Sequence, residues 1–389
     1  MASKALAEAL ADRGPHVDVR LVDAIASSSI LFRMFYVWPY WLMIRWAPFL
    51  WARLYHARHT RRHAHTAPEW FFRLACRKVF AEMAKWNPEM IIATEVGACE
   101  LGALAKQRGW TTATVFAVAT DYEFEPVWVK DEVNKYFVPT VAVADQLISW
   151  GVSREKIEIS GIPLLKKFRT PETRGEFKSR LGLATGRPVV LVMAGGMGPL
   201  RSDEIVQSLY RIPGPLSIVA FSGRDVRMRK RLEKLSRNSP PEKSLQVLGW
   251  TDETDAFMRA ADVLVTKPGG LTLTEAACTG VPMVCVNPIP GPEEVHAELV
   301  CREGLGVRVK SIEEVAGAVT NFLKAPRRTT PPEWLKADAA DRIADRAWSY
   351  VSLQWPGPAT ESERLKDSTV PARGTAAQIF QHQKREQLF

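Results

Sequence analysis

The sequence predicts an α/β protein with two doubly wound, Rossmann-like domains that face a cleft. From residue 186 onward, short apolar runs rich in β-branched residues alternate with helix-like stretches. A repeat of about 20 to 30 residues of this kind is typical of a parallel sheet covered by helices on both faces. The first half shows the same alternation less regularly, and a polar link at 161–188 divides the two halves.

The N-terminal domain is predicted to span residues 1–165. Its opening, MASKALAEALADRG, has the pattern of an amphipathic helix and does not resemble a signal peptide. Helices are predicted at 68–85, 97–108 and 140–150. The predicted strands are Val17–Val22, Met90–Thr94, Thr112–Val118, Tyr136–Val138 and Ile157–Ser160.

The C-terminal domain is predicted to span residues 166–330, followed by a helix at 331–353. Its predicted strands are Val189–Met193, Ser217–Phe221, Leu245–Leu248, Asp262–Thr266, Pro282–Val286 and Gly306–Val309. Its predicted helices are 202–211, 225–236, 252–260, 271–279, 293–303 and 311–324. The tail at 354–389 is rich in Pro, Ser, Glu and Lys and is predicted to be disordered.

Charge and cysteine content narrow the class of protein. The net charge of +9 and pI near 9.3 indicate an anionic partner, which could be nucleic acid, lipid or a phosphorylated ligand. No cysteine pair has C-x-x-C spacing, which favours packing roles in a reducing cytosol and argues against structural zinc. The five cysteines are Cys76, Cys99, Cys278, Cys285 and Cys301.

The stretch TKPGGLTLTEA (266–276) ends an apolar strand with two glycines and runs into a helix. Such a junction lets the backbone approach a ligand, and the helix N-terminus offers free N–H groups to an anion. Lys267 adds a full positive charge, and Glu275 could accept hydrogen bonds from two hydroxyls, as a ribose offers. The alternative is a plain tight turn with Glu275 solvated.

Two further segments follow neighbouring strands of the same predicted domain. VLVMAGGMGPL (190–200) is a second glycine cluster, with neither a Walker loop nor G-x-G-x-x-G spacing. Two such clusters at strand carboxyl ends predict one phosphate-bearing ligand. In PIPGPEE (288–294), Glu293 and Glu294 could contact sugar hydroxyls; alternatively they are acids favoured at a helix start by the dipole.

Residues 30–65 predict contact with an anionic membrane surface. Ten aromatic residues fall between Phe32 and Tyr55, and six arginines but no acidic residue fall between Ala24 and Pro68. Prolines and arginines interrupt the segment, so it is not predicted to span a bilayer, but its composition suits the headgroup region. The predicted contacts are Trp38, Trp41, Arg45, Trp46, Trp51 and Arg53.

This aromatic segment has two other interpretations. One is a buried aromatic helix pair with a basic solvent face, and the other is a single-stranded nucleic-acid site. Because the basic and aromatic residues are clustered and no nucleic-acid module is recognisable, no nucleic-acid partner is predicted. The four nearby histidines lack cysteine or carboxylate companions, so no metal site is predicted at His56, His59, His63 and His65.

Several motifs resemble one enzyme family. TDYEFEPVWVKDEVNKYFVPT (120–140), GIP (161–163), VMAGGMG (192–198), VLGW (247–250) and residues 266–294 are similar to monogalactosyldiacylglycerol synthases and processive diacylglycerol glucosyltransferases. The resemblance covers roughly residues 1–325 and extends to the related peptidoglycan N-acetylglucosaminyltransferase. It implies a GT-B fold. It also implies that a hexose is transferred, with inversion and without a metal or cofactor, from a UDP-sugar bound by the C-terminal domain. The implied acceptor is a lipid, most simply diacylglycerol, in the N-terminal domain at the cytoplasmic face of the membrane.

The resemblance also implies roles for single residues. The uracil would lie at Gly249 and Trp250, the ribose at Glu275 and the sugar at residues 292–293, with Glu294 beside it. Lys267 and the helix dipole would stabilise the leaving UDP, in keeping with the lack of a D-x-D motif. The donor diphosphate would contact Gly195, Gly196, Gly269, Gly270, Leu271 and Thr272.

The acceptor side departs from the family pattern. Asp121 is the candidate general base, and Glu125 replaces the histidine of the family's T-D-x-x-x-H motif and could serve as a carboxylate base instead. Pro292 replaces a glutamine and His296 an asparagine, and the family's first strand and G-x-G-H loop have no counterpart before Met1. Two alternatives therefore stay open: a GT-B enzyme with a polyprenyl-linked acceptor, and a catalytically inactive UDP-sugar-binding or membrane-associated regulator.

Overall fold

The computed structural model of the chain describes residues 1–14, 17–59, 67–170, 172–193, 200–325, 330–354 and 375–381. They divide into two compact units, each with one parallel sheet. The N-terminal unit comprises the described residues of Met1–Tyr40, His56–Leu165 and Lys336–Arg385. The C-terminal unit comprises Trp41–Tyr55 together with the described residues of Lys166–Leu335. The helix that follows residue 331 thus belongs to the N-terminal unit, and part of the aromatic segment belongs to the C-terminal unit.

The sheet of the N-terminal unit has six strands in the order β1-β12-β2-β3-β4-β5, all parallel. Its central strands are short continuous apolar runs such as MIIA and TVFAV, fully buried between helices as a parallel sheet requires. The strands are β1 (Val17–Asp23), β2 (Met90–Ala93), β3 (Thr114–Val118), β4 (Val133–Val138), β5 (Ile157–Ile159) and β12 (Thr375–Gln381).

The sheet of the C-terminal unit has the order β11-β10-β9-β6-β7-β8. Its strand order reverses between β6 and β9, and ligands of doubly wound sheets bind where the carboxyl ends of such strands meet. Both predicted glycine segments, 194–199 and 267–270, follow these two strands. The strands are β6 (Val189–Met193), β7 (Leu216–Phe221), β8 (Lys243–Leu248), β9 (Val263–Thr266), β10 (Met283–Cys285) and β11 (Gly306–Arg308).

Helices cover both sheets. In the first half they are α1 (Ala2–Ala11), α2 (Ile30–Phe32), α3 (Trp38–Trp46), α4 (Pro48–His59), α5 (Glu69–Ala75), α6 (Arg77–Trp86), α7 (Val96–Gln107) and α8 (Val141–Ser149). A π-helix, Arg33–Val37, joins α2 to α3, and a 3₁₀ turn, Lys166–Arg169, opens the second half. The remaining helices are α9 (Arg174–Arg180), α10 (Ser202–Leu209), α11 (Val226–Arg237), α12 (Thr254–Ala260), α13 (Gly270–Thr279), α14 (Pro292–Arg302), α15 (Val315–Lys324) and α16 (Ala339–Gln354).

The strand β12 departs from the prediction of a disordered tail over 354–389. It pairs in parallel with β1 on one side and β2 on the other, and Ile379, opposite Leu21 and Ile92, is fully buried. The polar composition of the tail hid this strand, whose seven residues, TAAQIFQ, pair with strands that are remote in sequence. In this sheet, residues 375–381 lie between β1 and β2.

Candidate active site

The loop before α13 lies at the carboxyl end of β9 and presents backbone N–H groups that no side chain caps. Gly269 is the N-cap of α13 and supplies no capping side chain, so the first N–H groups of the helix have no such partner. The φ of Gly269 is −68°, which any residue adopts, and an added Cβ would only meet Thr272 Oγ1 at 3.9 Å. Neither backbone strain nor packing thus requires this glycine, and its open space suits a bound ligand.

Three side chains surround this loop. Lys267 is buried; burial lowers the pKa of its ammonium group, and the charge of Glu293 acts in the opposite direction. Nδ1 of buried His296 lies 2.9 Å from the carbonyl oxygen of Pro268. Because a carbonyl can only accept, Nδ1 carries the proton and fixes the loop to α14. His296, a departure from the family pattern, therefore supports the glycine loop.

Glu275 lies inside the unit, so the alternative of a solvated Glu275 is wrong. The residue is 6% exposed, and burial raises the pKa of its carboxyl group to about 7, with the nearby Lys167 opposing that shift. Lys167 in turn pairs with Asp255 at 3.0 Å. A buried carboxyl group in the helix that starts at an open glycine loop is a strong acceptor for ligand hydroxyls.

The segment 287–294 is folded tightly against α4. Gly291 has φ +99°, and an added Cβ would come within 2.9 Å of the ring of Tyr55, so the position needs glycine. The backbone N–H of Ile289 donates to Oε2 of Glu293 at 2.7 Å, and that of Gly291 to Oε2 of Glu294 at 3.2 Å. Both carboxylates thus accept hydrogen bonds from their own loop at the start of α14, and the charge of Glu293 also acts on Lys267.

The VLGW segment places an aromatic face at the end of β8. Trp250 is 62% exposed, and the guanidinium of Arg224 lies 4.7 Å from its ring centroid. Gly249 faces the side chain of Arg229, 3.5 Å from the position of an added Cβ. The other predicted donor contacts, Gly195 and Gly196, lie outside the described residues.

The acceptor-side candidates lie in the N-terminal unit, after β2 and β3. Thr120 Oγ1 donates to the carbonyl oxygen of Thr94 at 3.4 Å, which ties the ends of these strands together. Asp121 is exposed, whereas Glu125 is half-buried and its Oε2 is inaccessible to solvent.

Glu95 is a further candidate site residue, which the sequence interpretation missed. Its side chain caps α7 by accepting from the N–H groups of Gly97 and Ala98, at 3.0 and 3.2 Å. Burial raises the pKa of this carboxyl group to about 7, and the charges of Glu100 and Glu125 add to the rise. The sequence signal was a carboxylate directly after a buried strand. That puts two carboxylates, Glu95 and Glu125, near one another at the carboxyl edge of this sheet.

The motif at 120–140 is held rigidly in the same unit. The hydroxyl of buried Tyr136 accepts from the N–H of Lys130 at 2.9 Å and lies 3.2 Å from the carbonyl oxygen of Trp128. The ammonium of Lys130 pairs with Glu100 at 3.2 Å, and both side chains are buried. These interactions fix the chain that carries Asp121 and Glu125.

The aromatic segment forms helices with exposed apolar side chains. Trp46 is 74% exposed, Arg53 is exposed, and Trp38 and Trp41 are half-buried. Trp51 does not fit the prediction of a surface contact: it is 8% exposed and packs against Tyr55, with ring centroids 6.0 Å apart. The side chain of Arg45 lies outside the described part of the structure. Other exposed apolar residues here are Ile30, Leu31, Met34, Phe35, Leu42, Phe49, Leu50 and Leu54.

That exposed surface argues against a buried aromatic helix pair with a purely basic solvent face. Within the described residues, no helix is both long enough and apolar enough to cross a bilayer. Across the described ranges, no group of three or more histidine, cysteine, aspartate or glutamate side chains is arranged to hold a metal ion.

The two units match two family models. Residues 1–164 match the model described as monogalactosyldiacylglycerol (MGDG) synthase, and residues 182–337 match glycosyl transferases group 1. The chain fits the MGDG synthase and diacylglycerol glycosyltransferase family. This confirms the resemblance predicted from the motifs at 120–140 and 266–294.

Curated relatives of the chain include processive diacylglycerol beta-glucosyltransferases of bacilli. That of Bacillus pumilus is 28% identical over 240 residues, which cover 61% of each chain. That of Bacillus subtilis is 31% identical over 219 residues, which cover 56% of each chain. The chain thus matches about three fifths of the length of these relatives.

Solved structures confirm the fold class. The S. aureus MnaA–UDP structure aligns with TM-score 0.55 and 15% identity over 71% of this chain and 78% of that chain. The putative UDP-N-acetylglucosamine 2-epimerase from Listeria monocytogenes aligns with TM-score 0.54 and 14% identity, with the same coverage. At this identity the likeness shows the fold alone, two Rossmann-like domains of the GT-B class, as the sequence predicted.

Proposed function

We propose that this protein transfers a hexose from a UDP-sugar to a lipid acceptor, diacylglycerol, with inversion and without a metal ion. The observation that carries the proposal is the open N-terminus of α13 beside buried Lys267. Backbone N–H groups, the positive end of a helix and a lysine together form a site for a diphosphate. The names of the bacillus relatives support diacylglycerol as acceptor.

The C-terminal unit would bind the donor. Its diphosphate would lie against residues 269–272, with Gly195 and Gly196 as further contacts. The two ribose hydroxyls would donate to Glu275, and the uracil would stack near exposed Trp250. Glu293 and Glu294 would act on the sugar chiefly by holding the loop 287–294, because both already accept hydrogen bonds from that loop.

In the proposed reaction, the acceptor hydroxyl oxygen attacks the anomeric carbon from the face opposite the UDP oxygen. The new C–O bond forms as the bond to UDP breaks, and the hydroxyl proton passes to a carboxylate of the N-terminal unit, Glu125 or Asp121. Lys267 and the N–H groups of α13 would stabilise the charge that develops on the leaving diphosphate. Beyond the UDP-sugar and the lipid acceptor, no further substrate or cofactor is needed for this balance.

A peripheral position on the anionic cytoplasmic face of the membrane would bring the proposed active site to its lipid acceptor. Exposed Trp46 and Phe49, with Arg53 nearby in sequence, form a mixed aromatic and basic surface. Such residues bind at the headgroup level of an anionic leaflet. Nucleic acid is not part of the proposal.

The direct test is UDP release on anionic vesicles containing diacylglycerol, with UDP-glucose and UDP-galactose supplied in turn. We expect release with one of the two sugars, an unchanged rate in EDTA, and a glycolipid of inverted anomeric configuration by NMR. If the protein binds UDP but releases UDP from the donor only when a polyprenyl-linked lipid is supplied, the acceptor is that lipid and not diacylglycerol. UDP binding without turnover on either acceptor would indicate a regulator.

A second test concerns the donor site. Glu275→Gln should weaken UDP binding by about 10- to 100-fold, because one or two hydrogen bonds to a charged acceptor are lost. The same change should stabilise the ligand-free protein at pH 8 by up to about 3 kcal/mol. A carboxyl group with a pKa raised on folding to about 7 contributes stability below its unfolded value, and that stability is lost as pH rises through 7.

The measurements are UDP titration by calorimetry and thermal unfolding at pH 5 and pH 8 with and without UDP. At pH 5 the stability gain of Glu275→Gln should shrink, since the wild-type group is largely protonated in the fold. Undiminished UDP affinity in the variant would contradict the ribose role, whatever happens to stability.

A further inference from the structure

Residues 41–55 lie in the first half of the sequence but belong to the C-terminal unit. Within this stretch, α4 has two sides. Trp51 and Tyr55 are buried, with ring centroids 6.0 Å apart, whereas Phe49 and Leu50 are exposed. The buried side of α4 therefore brings aromatic rings from the first half of the chain into the unit that carries the proposed donor site.

The ring of Tyr55 packs against the loop 287–291, which lies between β10 and α14. An added Cβ at Gly291 would lie 2.9 Å from Cδ1 of that ring and 3.1 Å from both Cε1 and Cγ. Such distances leave no room for a side chain, so the ring lies directly on the backbone of the loop. The contact therefore depends on this ring and on the absence of a side chain at position 291.

The loop has a conformation that needs support from its surroundings. Asn287 has φ +43° and Gly291 has φ +99°, and the left-handed region costs free energy for a residue other than glycine. The N–H groups of Ile289 and Gly291 donate to carboxylates only four and three residues later in the chain. These hydrogen bonds fix the loop to the start of its own helix, whereas the ring of Tyr55 is a contact from a remote part of the sequence.

This loop borders the proposed donor site. β10 and β9 are adjacent in the sheet, and the N–H of Val286 donates to the carbonyl oxygen of Thr266 at 2.9 Å. The loop therefore starts beside Lys267. The charge of Glu293, which accepts a hydrogen bond from the loop, raises the pKa of Lys267 against the effect of burial. A donor whose diphosphate lies at Lys267 and α13 would thus have its sugar near the loop.

We propose that Tyr55 is a positioning residue for the transferred sugar, because its ring holds the loop 287–291 against the donor. The inference rests on the proposed donor site and adds to it a side chain from the first half of the sequence. The ring would act through the backbone at Gly291, without touching the reacting atoms. UDP itself lies against α13 and Lys267, so loss of the ring should weaken binding of a UDP-sugar and spare binding of UDP.

The test measures binding of UDP, UDP-glucose and UDP-galactose to the full chain by calorimetry. Tyr55→Leu should weaken binding of the preferred UDP-sugar by about tenfold, because the sugar meets a loop that is no longer held in one conformation. The affinity of this variant for UDP should stay within about twofold of wild type, since His296 fixes the loop before α13 to α14.

Two further variants serve as controls for the ring and for the substitution itself. Tyr55→Phe keeps the ring carbons that face Gly291, and it should retain the affinity for the UDP-sugar within about threefold. Tyr350→Leu makes the same change in α16 of the N-terminal unit, where the ring packs on Phe116 with centroids 5.6 Å apart. It should leave the affinities for UDP and for the UDP-sugar unchanged.

Hydrogen exchange of the ligand-free protein tests the contact without any donor. Residues 288, 290 and 292 are prolines, so the loop contains few amides and each can be followed. The N–H groups of Ile289 and Gly291 should exchange about tenfold faster in Tyr55→Leu than in wild type, because the loop opens more often. Their exchange should be unchanged in Tyr350→Leu.

The outcomes separate this role from the proposed transfer. Unchanged exchange in Tyr55→Leu, or an unchanged affinity for the UDP-sugar, would overturn the role of Tyr55 alone. Equal losses of affinity for UDP and for the UDP-sugar would also overturn it and would indicate a general structural effect. A wild-type protein that binds no UDP would overturn the proposed donor site, and the role of Tyr55 in placing the sugar with it.

Discussion

Replacing Glu125 with glutamine should lower kcat for sugar transfer by about a hundredfold or more, with little change in UDP affinity. General base catalysis by a positioned side chain is worth about 10²–10⁴ in rate. Glu125 is half-buried on a rigid segment, and its charge already acts on Glu95, whose carboxyl pKa burial raises to about 7. We expect this partly desolvated pair to accept the hydroxyl proton in preference to exposed Asp121.

The matched control is Asp121→Asn, which makes the same carboxylate-to-amide change four residues earlier on the same loop. It should lower kcat less than about tenfold, in the range of an indirect effect. If Asp121→Asn removes activity while Glu125→Gln preserves it, the base is Asp121. UDP titration of each variant verifies that the donor site is intact.

The pH profile adds an independent readout for the same pair. Burial raises the pKa of Glu95 to about 7, and only the ionised form of Glu95 adds a proton acceptor to the pair, so kcat should rise with pH through 7. Glu95→Gln keeps an oxygen that can cap α7 but cannot ionise, and it should flatten this rise. An unchanged profile in Glu95→Gln would separate Glu95 from the reaction.

Ile379→Asp should destabilise the N-terminal unit by about 4 kcal/mol or more. The change buries a carboxylate in the middle of a parallel sheet, between Leu21 of β1 and Ile92 of β2. Hydrogen exchange should show the amides of β1 and β2 losing protection while those of β6 keep theirs, because the two sheets belong to separate compact units.

The control is Leu353→Asp, which introduces the same charge at an exposed apolar position near the end of α16. It should leave protection in both units unchanged. If Ile379→Asp behaves like this control, β12 does not pair with the sheet in solution. Ile379→Val, a smaller change, should cost about 1 kcal/mol and serve as an intermediate point.

The C-terminal sheet could be predicted because its signals are local. Strands such as β6 (VVLVM) and β9 (VLVT) are short, largely apolar runs, and the predicted Val189–Met193 coincides with β6. The glycine loop before α13 was found the same way. Burial that depends on tertiary packing has no comparable local pattern in the sequence. The tryptophans of the aromatic segment look alike in sequence, but the fold buries Trp51 and exposes Trp46.

The failures share one physical cause, which is stabilisation by residues remote in sequence. The strand β12 is seven residues in a polar tail, and its hydrogen-bonding partners lie in the first quarter of the chain. Glu95 was overlooked because a capping carboxylate after a strand is ordinary, and its neighbours Glu100 and Glu125 become close only through folding. The sugar contacts predicted for Glu293 and Glu294 stay a prediction, and the hydrogen bonds that both accept depend on a loop conformation that requires Gly291.

The position of β12 has a consequence for synthesis on the ribosome. β2 lies roughly 290 residues before its partner strand, so at about 5–20 residues per second the gap between β1 and β2 stays open for roughly 15 to 60 s. During that time two strand edges of the nascent chain lack a partner and invite aggregation. The C-terminal unit has all its strands before then, so we expect it to fold first, reversing the usual vectorial order. A fusion tag after residue 381 would then disturb the maturation of the domain that is made first.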